Sequence, residues 1–238
     1  MFATSYTNVP HTPDANPAFG ANCLHDLFSK QPVDHLMAGQ SLFFEEDDAN
    51  HVFEILSGTL RIFRIIGDGR RVIIGFLDAG DIVGVSLRGH YLYGAEAIAA
   101  STVKRLPRRQ FDAAVASSDG LGPEVFARVC DEMAAAQDQM VLLSCKNAEE
   151  RLCSFLLKYL KRTAVPGERR VTIDLPMTRQ DMADYLGLTI ETVSRTVTKL
   201  INKGVLSIRD PMVRHSIRIE KPGTLAQLGG DDDEHMYN

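Results

Sequence analysis

The spacing of apolar residues changes along the chain, and the first pattern predicts a β-rich domain. Between residues 40 and 106, short runs rich in β-branched and aromatic residues alternate with glycines, as in TLRIFRIIGDGRRVIIGFL. The Gly67-Asp68-Gly69 stretch within this segment is a strong signal for a tight β-hairpin. We therefore predict an antiparallel β-roll or barrel in this part of the chain.

A long helical pattern follows Gly122-Pro123. Apolar residues recur at intervals of three and four positions, which keeps them on one narrow stripe over about five turns of helix. This apolar seam consists of Phe126, Val129, Met133, Ala136, Met140 and Leu143. Heptad spacing of this kind favours pairing with a second copy of the same helix, so we predict a homodimer interface. An amphipathic helix that lies on its own barrel is the alternative.

Two short helices are predicted within TRQDMADYLGLTIETVSRTVTKL, after a helix at NAEERLCSFLLKYLKR and a strand at RVTIDLPM. Thr178 is a candidate N-cap for the first helix, Gly187 supplies a left-handed turn after it, and Thr189 can cap the second. The apolar residues of the second helix face inward: Val193, Val197, Leu200 and Ile201. A helix pair joined by a short glycine turn is a helix-turn-helix, whose second helix fits the major groove of DNA.

The polar face of the second helix carries side chains that suit base readout. Arg195 can donate two hydrogen bonds to guanine, Glu191 can accept from a cytosine amino group, and Ile190 can contact a thymine methyl group. We assign phosphate contacts to Arg179, Thr189, Lys199 and Lys203. A hairpin wing is predicted in VLSIRDPMVRHSIRIE, with Arg209, Arg214 and Arg218. The alternative to a DNA-reading role for the second helix is a surface helix with an Arg/Glu ion pair and no ligand.

The charge of the chain is unevenly distributed. The formal net charge is −5, yet residues 146–219 carry 14 Lys and Arg against 8 Asp and Glu. Residues 1–145 carry 11 against 18, and residues 220–238 carry 1 against 5. A basic block in an acidic chain is expected where phosphates are approached, although a solvated charged face fits the charge pattern equally well.

Composition predicts a cytoplasmic protein. No apolar stretch approaches the roughly 18 residues of a membrane span, and the first 20 residues lack the pattern of an export signal. The four cysteines form no CxxC pair, which suits a reducing compartment, and we expect most of them to be buried apolar residues.

The order of these segments resembles the CRP/FNR superfamily of bacterial transcription regulators. The resemblance rests on NAEERL and DMADYLGLTIETVSRTVTKL, covers residues 22–220, and is greatest to the FNR and FixK branches at ETVSR. It implies an α+β fold with a cyclic-nucleotide-binding-like β-roll, a long dimerisation helix and a winged helix-turn-helix. It also implies that Glu191, Ser194 and Arg195 read TTGA-type half-sites of a palindrome in double-stranded DNA, and that RNA polymerase is a partner.

The predicted domain boundaries follow from this organisation. We expect a disordered tail at 1–21, the roll at 22–121, the dimerisation helix at 122–146, the DNA-binding domain at 147–222 and an acidic disordered tail at 223–238.

The sequence departs from two branches of the family. The oxygen-sensing FNR proteins hold an iron–sulfur cluster through several N-terminal cysteines, whereas this chain has only Cys23 there. Cyclic-nucleotide members carry an Arg-Ser or Arg-Thr pair where this chain has Tyr93-Gly94. We therefore expect no cofactor, no metal and a FixK-like activator of microaerobic respiration or nitrogen-fixation genes. The alternative is a regulator that senses an unidentified small effector.

Two other classes of protein fit the sequence less well. A cupin-like barrel enzyme needs clustered metal ligands, but the seven histidines form no H-x-H or H-x-x-x-H pair. A protein-interaction module would account for the seam but would leave the polar face of the second predicted helix without a role. We therefore predict that the protein is not an enzyme.

Overall fold

The N-terminal half of the molecule is a roll of two antiparallel four-stranded sheets. The structure is a computed structural model that describes residues 23–163, 172–208 and 216–230. A 3₁₀ helix, Leu24–Phe28, precedes the roll. The strands are β1 Val33–Leu36, β2 Ser41–Phe43, β3 His51–Ser57, β4 Thr59–Ile65, β5 Arg71–Asp78, β6 Ile82–Val83, β7 Gly94–Ala97 and β8 Ser101–Pro107. Their orders are β1-β8-β3-β6 and β2-β7-β4-β5, which confirms the predicted β-rich domain.

The predicted hairpin joins β4 to β5. Ile65 pairs with Arg71, and Gly69 takes a φ of 84°, a left-handed value that residues with a β-carbon rarely adopt. Inside the roll, the rings of Phe43 and Tyr91 stack with their centroids 3.8 Å apart, and Phe53 stacks on the same Phe43 ring at 5.8 Å. Aromatic side chains therefore fill part of the interior.

Three helices follow the roll. They are α1 Arg108–Ser117, α2 Leu121–Cys145 and α3 Ala148–Thr163. On α2 the apolar seam faces away from the roll, since Phe126 is 69% exposed and Met133 58% exposed in the single chain. A face of α2 beside the seam contacts the molecule itself, because Gln139 donates to the Tyr185 carbonyl at 2.8 Å. The seam therefore does not rest on its own barrel.

The C-terminal part packs helices against a small antiparallel sheet. Its elements are β9 Thr172–Asp174, α4 Arg179–Leu186, α5 Ile190–Asn202, β10 Leu206–Ile208, β11 Ser216–Ile219 and α6 Pro222–Gly229. The strands lie in the order β10-β11-β9. In the part of the chain that the structure describes, no helix is both long and apolar enough to cross a membrane.

Helix α6 corrects the predicted boundary of the acidic tail. Residues 223–230 are not disordered: Pro222 begins the helix, Gly230 ends it with a φ of 70°, and Leu225 and Ala226 are buried in the core that includes α3. The helix is too short to give a periodic signal, and its stability comes from this burial. The rest of the two predicted tails, residues 1–21 and 231–238, lies outside the described residues.

The expectation that most cysteines are buried is wrong. Cys153 is buried, Cys23 and Cys130 are partly exposed, and Cys145 is exposed at the end of α2. Burial raises the pKa of the Cys153 thiol to about 12, so this cysteine is uncharged at neutral pH. Cys130 and Cys145 lie on α2, and helix periodicity alone does not show which face of that helix is covered by the rest of the chain.

The roll and the C-terminal part share one apolar core. Phe76 of β5 lies 5.4 Å from the ring of Tyr185 on α4 and 6.2 Å from the ring of Phe155 on α3. Arg162 of α3 donates to the Phe76 carbonyl at 2.7 Å. The two domains are therefore held by packing across their boundary and not by the linking helix alone.

An ionic network crosses the same boundary. Arg61 of β4 donates to Asp181 of α4 at 2.5 Å and to Glu96 of β7 at 2.7 Å. Arg71 of β5 approaches Asp184 at 3.5 Å. The side chain of Asp181 is only 2% exposed, and within this burial it is paired with these guanidinium groups and hydrogen-bonded.

Replacing Asp181 should strongly destabilise the protein. Asp181→Ala removes one partner of a buried ion pair and a helix cap, so we expect a loss of about 3–5 kcal/mol in the free energy of unfolding. Asp184→Ala, on the same helix but farther from its arginine, should cost less than about 1 kcal/mol. Chemical denaturation followed by circular dichroism measures both. Equal losses for the two variants would contradict the role given to Asp181.

Candidate DNA-binding surface

Helix α4 begins with the predicted Thr178 cap. The Thr178 hydroxyl accepts a hydrogen bond from the Asp181 N–H at 3.1 Å, and the Thr178 N–H donates to the Asp181 carboxylate at 2.9 Å. This reciprocal pair is a capping box, which satisfies N–H groups that have no partner within the helix. The same carboxylate receives Arg61, so the start of α4 is fixed locally and also by the roll.

Gly187 makes the turn between α4 and α5. Its φ is 62°, as predicted, and a β-carbon there would lie 3.3 Å from Leu143 and 3.4 Å from the Arg151 guanidinium. Conformation and close approach both favour glycine.

Arg151 is a positioning residue that the sequence analysis did not single out. From α3 its guanidinium donates to the carbonyls of Lys146, Leu186 and Leu143 at 2.8, 3.0 and 2.9 Å. It thus ties the end of α2 to the end of α4, beside the turn into α5. The only sequence signal was its place in NAEERL, and its contact with Leu186 spans 35 positions of the chain.

Helix α5, the predicted recognition helix, is divided into a buried and an exposed face. Thr189 caps it by accepting from the Thr192 N–H at 3.2 Å. Val193, Val197 and Leu200 are buried as predicted, and Thr196 is buried beside them with its hydroxyl bonded to the Thr192 carbonyl. The four predicted base-reading side chains are all exposed: Ile190, Glu191, Ser194 and Arg195.

The Glu191 carboxylate is ready to accept hydrogen bonds at neutral pH. Its own backbone N–H and then the Thr189 hydroxyl hold the pKa of this carboxyl below its usual value. Glu191 and Arg195 are four residues apart, so they lie on the same side of the helix.

The predicted phosphate-binding residues lie in different surroundings. Thr189 is exposed at the start of α5. Arg179 is partly buried near Met182, and this burial lowers the pKa of its guanidinium. Lys199 and Lys203 both bind Glu149 of α3, a contact that the sequence analysis did not anticipate.

The predicted wing is only partly described. Strands β10 and β11 pair in antiparallel fashion, with Leu206 opposite Ile219. Arg218 on β11 lies 3.3 Å from Glu220. Arg209 and Arg214 lie outside the described residues.

Comparison with known proteins identifies the family. The profile of the Crp-like helix-turn-helix domain matches residues 150–228, and that of the cyclic nucleotide-binding domain matches residues 33–118. The nitrogen fixation regulation protein FixK of Bradyrhizobium diazoefficiens is 39% identical over 174 residues, which are 73% of this chain and 73% of FixK. This chain belongs to the CRP/FNR family. It is therefore a DNA-binding transcription regulator and not an enzyme.

Two further similarities lie within the CRP/FNR family. The transcriptional activatory protein AadR of Rhodopseudomonas palustris is 38% identical over 196 residues, 80% of each chain. The structure of FixK2 from Bradyrhizobium japonicum is similar with a TM-score of 0.77 and 31% identity, and the match covers 83% of this chain and 96% of FixK2. The predicted α+β fold with a β-roll and a helix-turn-helix is thereby confirmed.

The roll of this CRP/FNR regulator offers an unfavourable place for a cyclic phosphate. A β-carbon at Gly94 would lie 2.8 Å from the Phe63 ring, so this position leaves no room for the serine or threonine of the family's phosphate clamp. Burial raises the pKa of the neighbouring Tyr93 hydroxyl. Among the described residues, the buried charged side chains are Glu54 and Asp181, both acidic. Arg61, whose side chain is 13% exposed, is already paired with Glu96 and Asp181.

DNA binding by this protein should not respond to cyclic AMP. A ligand shifts binding only if it has different affinities for the active and inactive arrangements, and the roll lacks the clamp for its phosphate. Titration of a labelled palindrome, with and without cyclic AMP, should give affinities within about twofold of each other. A gain of about tenfold, or 1.4 kcal/mol, would overturn this interpretation of the roll.

Proposed function

We propose that the protein acts as a homodimer that reads a TTGA-type palindrome and activates transcription. The observation that carries the proposal is the exposed face of α5, where Glu191, Ser194 and Arg195 project from a helix whose other face is buried. Two copies related by a twofold axis would present two such helices to successive major-groove segments.

The chemistry of this face supports the assigned roles. Arg195 can donate a bidentate pair to the guanine of a half-site, and the ionised Glu191 can accept from a cytosine amino group. Ile190, 37% exposed, offers an apolar contact for a thymine methyl group. Arg179, Thr189, Lys199 and Lys203 surround this face and are suited to phosphates, which position the protein without carrying sequence information.

The exposed seam of α2 supports the dimer. Met133 and Met140 are 58% and 60% exposed, and Val129 is 49% exposed, in a stripe at heptad spacing. Leaving such a stripe in water is unfavourable, and pairing with an identical stripe buries both copies at once. The seam thus suits a parallel pair of helices along a twofold axis.

The relatives support a proposal for the target genes and for the partner enzyme. A nitrogen fixation regulation protein and a transcriptional activatory protein are among the most similar relatives. We infer activation of microaerobic respiration or nitrogen-fixation genes through contact with RNA polymerase. Transcription from a promoter with the palindrome, using purified polymerase with and without the protein, tests this inference.

Arg195 should determine discrimination at the guanine. Arg195→Ala should cost about 1–3 kcal/mol per half-site on the palindrome and much less on a duplex in which the guanine is replaced. Fluorescence anisotropy with both duplexes measures this difference. The comparison variant is Lys199→Ala, which should weaken both duplexes by similar factors because it removes a phosphate contact. If Arg195→Ala also weakens both equally, Arg195 does not read the base.

A charge placed in the seam should dissociate the dimer. Met133→Glu would set two like charges face to face in an apolar interface, at a cost of several kcal/mol, roughly 3 or more. Analytical ultracentrifugation should then show a monomer at micromolar concentration. The control is Ala134→Glu, which adds the same charge at an exposed position off the seam and should leave the dimer intact. A Met133→Glu protein that remains dimeric would place the interface elsewhere.

A further inference from the structure

Two of the lysines assigned to DNA phosphates are bound to a carboxylate of the same chain. Glu149, in the first turn of α3, accepts from Lys203 Nζ at 2.5 Å through Oε1 and from Lys199 Nζ through Oε2. Each carboxylate oxygen thus receives one ammonium group. The two lysines are four residues apart, so they project from the same side of α5.

This cluster continues the reading face of α5. Glu191, Arg195, Lys199 and Lys203 recur at intervals of four, so each is turned by about 40° from the one before, and they form a stripe that winds along α5 to its C-cap, Lys203. The stripe runs from the base-reading residues towards the end of α5, where a helix in the major groove approaches the backbone of the duplex.

Glu149 is more deeply buried than the two lysines that it binds, Lys199 and Lys203. The Glu149 side chain is 17% exposed, whereas Lys199 and Lys203 are 57% and 41% exposed. The carboxylate therefore lies beneath the ammonium groups, which remain accessible from outside. Hydrogen bonds from Lys199 and Lys203 hold the pKa of Glu149 below its usual value, so its negative charge is present at neutral pH.

We propose that Glu149 occupies, in the free protein, the place of a DNA phosphate between Lys199 and Lys203, and thereby weakens binding to DNA of any sequence. An approaching phosphate must replace the Glu149 carboxylate or share the two lysines with it. Sharing brings the negative phosphate close to the negative carboxylate, which is unfavourable. Since the lysines are already neutralised, fewer counterions are released when DNA binds, and counterion release drives sequence-independent affinity. The proposal rests on the DNA-facing role of the lysines given above.

A purely structural role for Glu149 makes a different prediction. If Glu149 serves only to fasten α5 to α3, its removal can lower stability or DNA binding, and it can strengthen binding no more than the loss of a nearby negative charge does. A gain in affinity that exceeds the gain from a neighbouring charge change is therefore the decisive observation, because misfolding cannot produce it.

The experiment measures binding of Glu149→Gln to a random-sequence duplex and to the palindrome over a series of KCl concentrations. We expect affinity for the random duplex to rise by about tenfold at low salt, and the slope of log affinity against log salt to steepen by about one to two, since two lysines are freed. The palindrome should also be bound more tightly, because phosphate contacts are common to both duplexes.

Two controls isolate the contact. Glu150→Gln removes the same charge one residue away, where the carboxylate bonds instead to the Asn147 N–H, and should change affinity by less than about twofold. In a Lys199→Ala, Lys203→Ala background, adding Glu149→Gln should give no gain. The proposal fails if Glu149→Gln leaves both affinity and salt slope unchanged, if Glu150→Gln matches it, or if the gain persists without the lysines.

The same titrations separate this proposal from the proposed function. If the unsubstituted protein shows no preference for the palindrome over the random duplex, the assignment of a TTGA-type target fails. The effect of Glu149 is still decided on the random duplex, because that measurement depends on phosphates alone.

Discussion

The orientation of the DNA-binding domain depends on one buried carboxylate, that of Asp181. One oxygen of this group closes the capping box of α4 with Thr178, and the other accepts from Arg61 on the roll. A buried charge is tolerated only when it is paired and hydrogen-bonded, so separating the roll from α4 would leave Asp181 without Arg61 and Arg71, and would leave Arg61 paired with Glu96 of the roll. The folding of α4 and its attachment to the roll are therefore coupled at a single side chain.

The recognition helix takes its position from this attachment. Apolar packing of Phe76 against Tyr185 and Phe155 provides attraction without direction, whereas hydrogen bonds and ion pairs specify one arrangement. Arg151 adds a second fixed point where α2 and α4 end beside Gly187. Since α5 follows directly after this turn, the roll, α2 and the exposed face of α5 are mechanically connected.

Local features of this structure could be read from the sequence, and distant contacts could not. The Thr178 cap, the left-handed Gly187 and the two faces of α5 depend on residues within a few positions of one another, where spacing and side-chain chemistry are informative. Asp181 pairs with Arg61 across 120 positions, and Lys199 pairs with Glu149 across 50. The spacing of residues along the chain does not predict contacts between such distant positions. Helix α6 was not predicted for a related reason: burial against distant residues stabilises it more than its own sequence does.

The uneven distribution of charge along the chain affects how strongly the protein is attracted to DNA of any sequence. A regulator must find few sites among many competing ones, so strong attraction to every phosphate would hold it on irrelevant DNA. Here a basic block approaches the duplex while the preceding 145 residues are acidic, which limits long-range attraction. Glu149 would act in the same direction at close range, on the two lysines proposed to contact the backbone. In the proposed function, with backbone attraction restrained at both distances, stable binding depends on the side chains assigned to bases, Arg195 foremost among them.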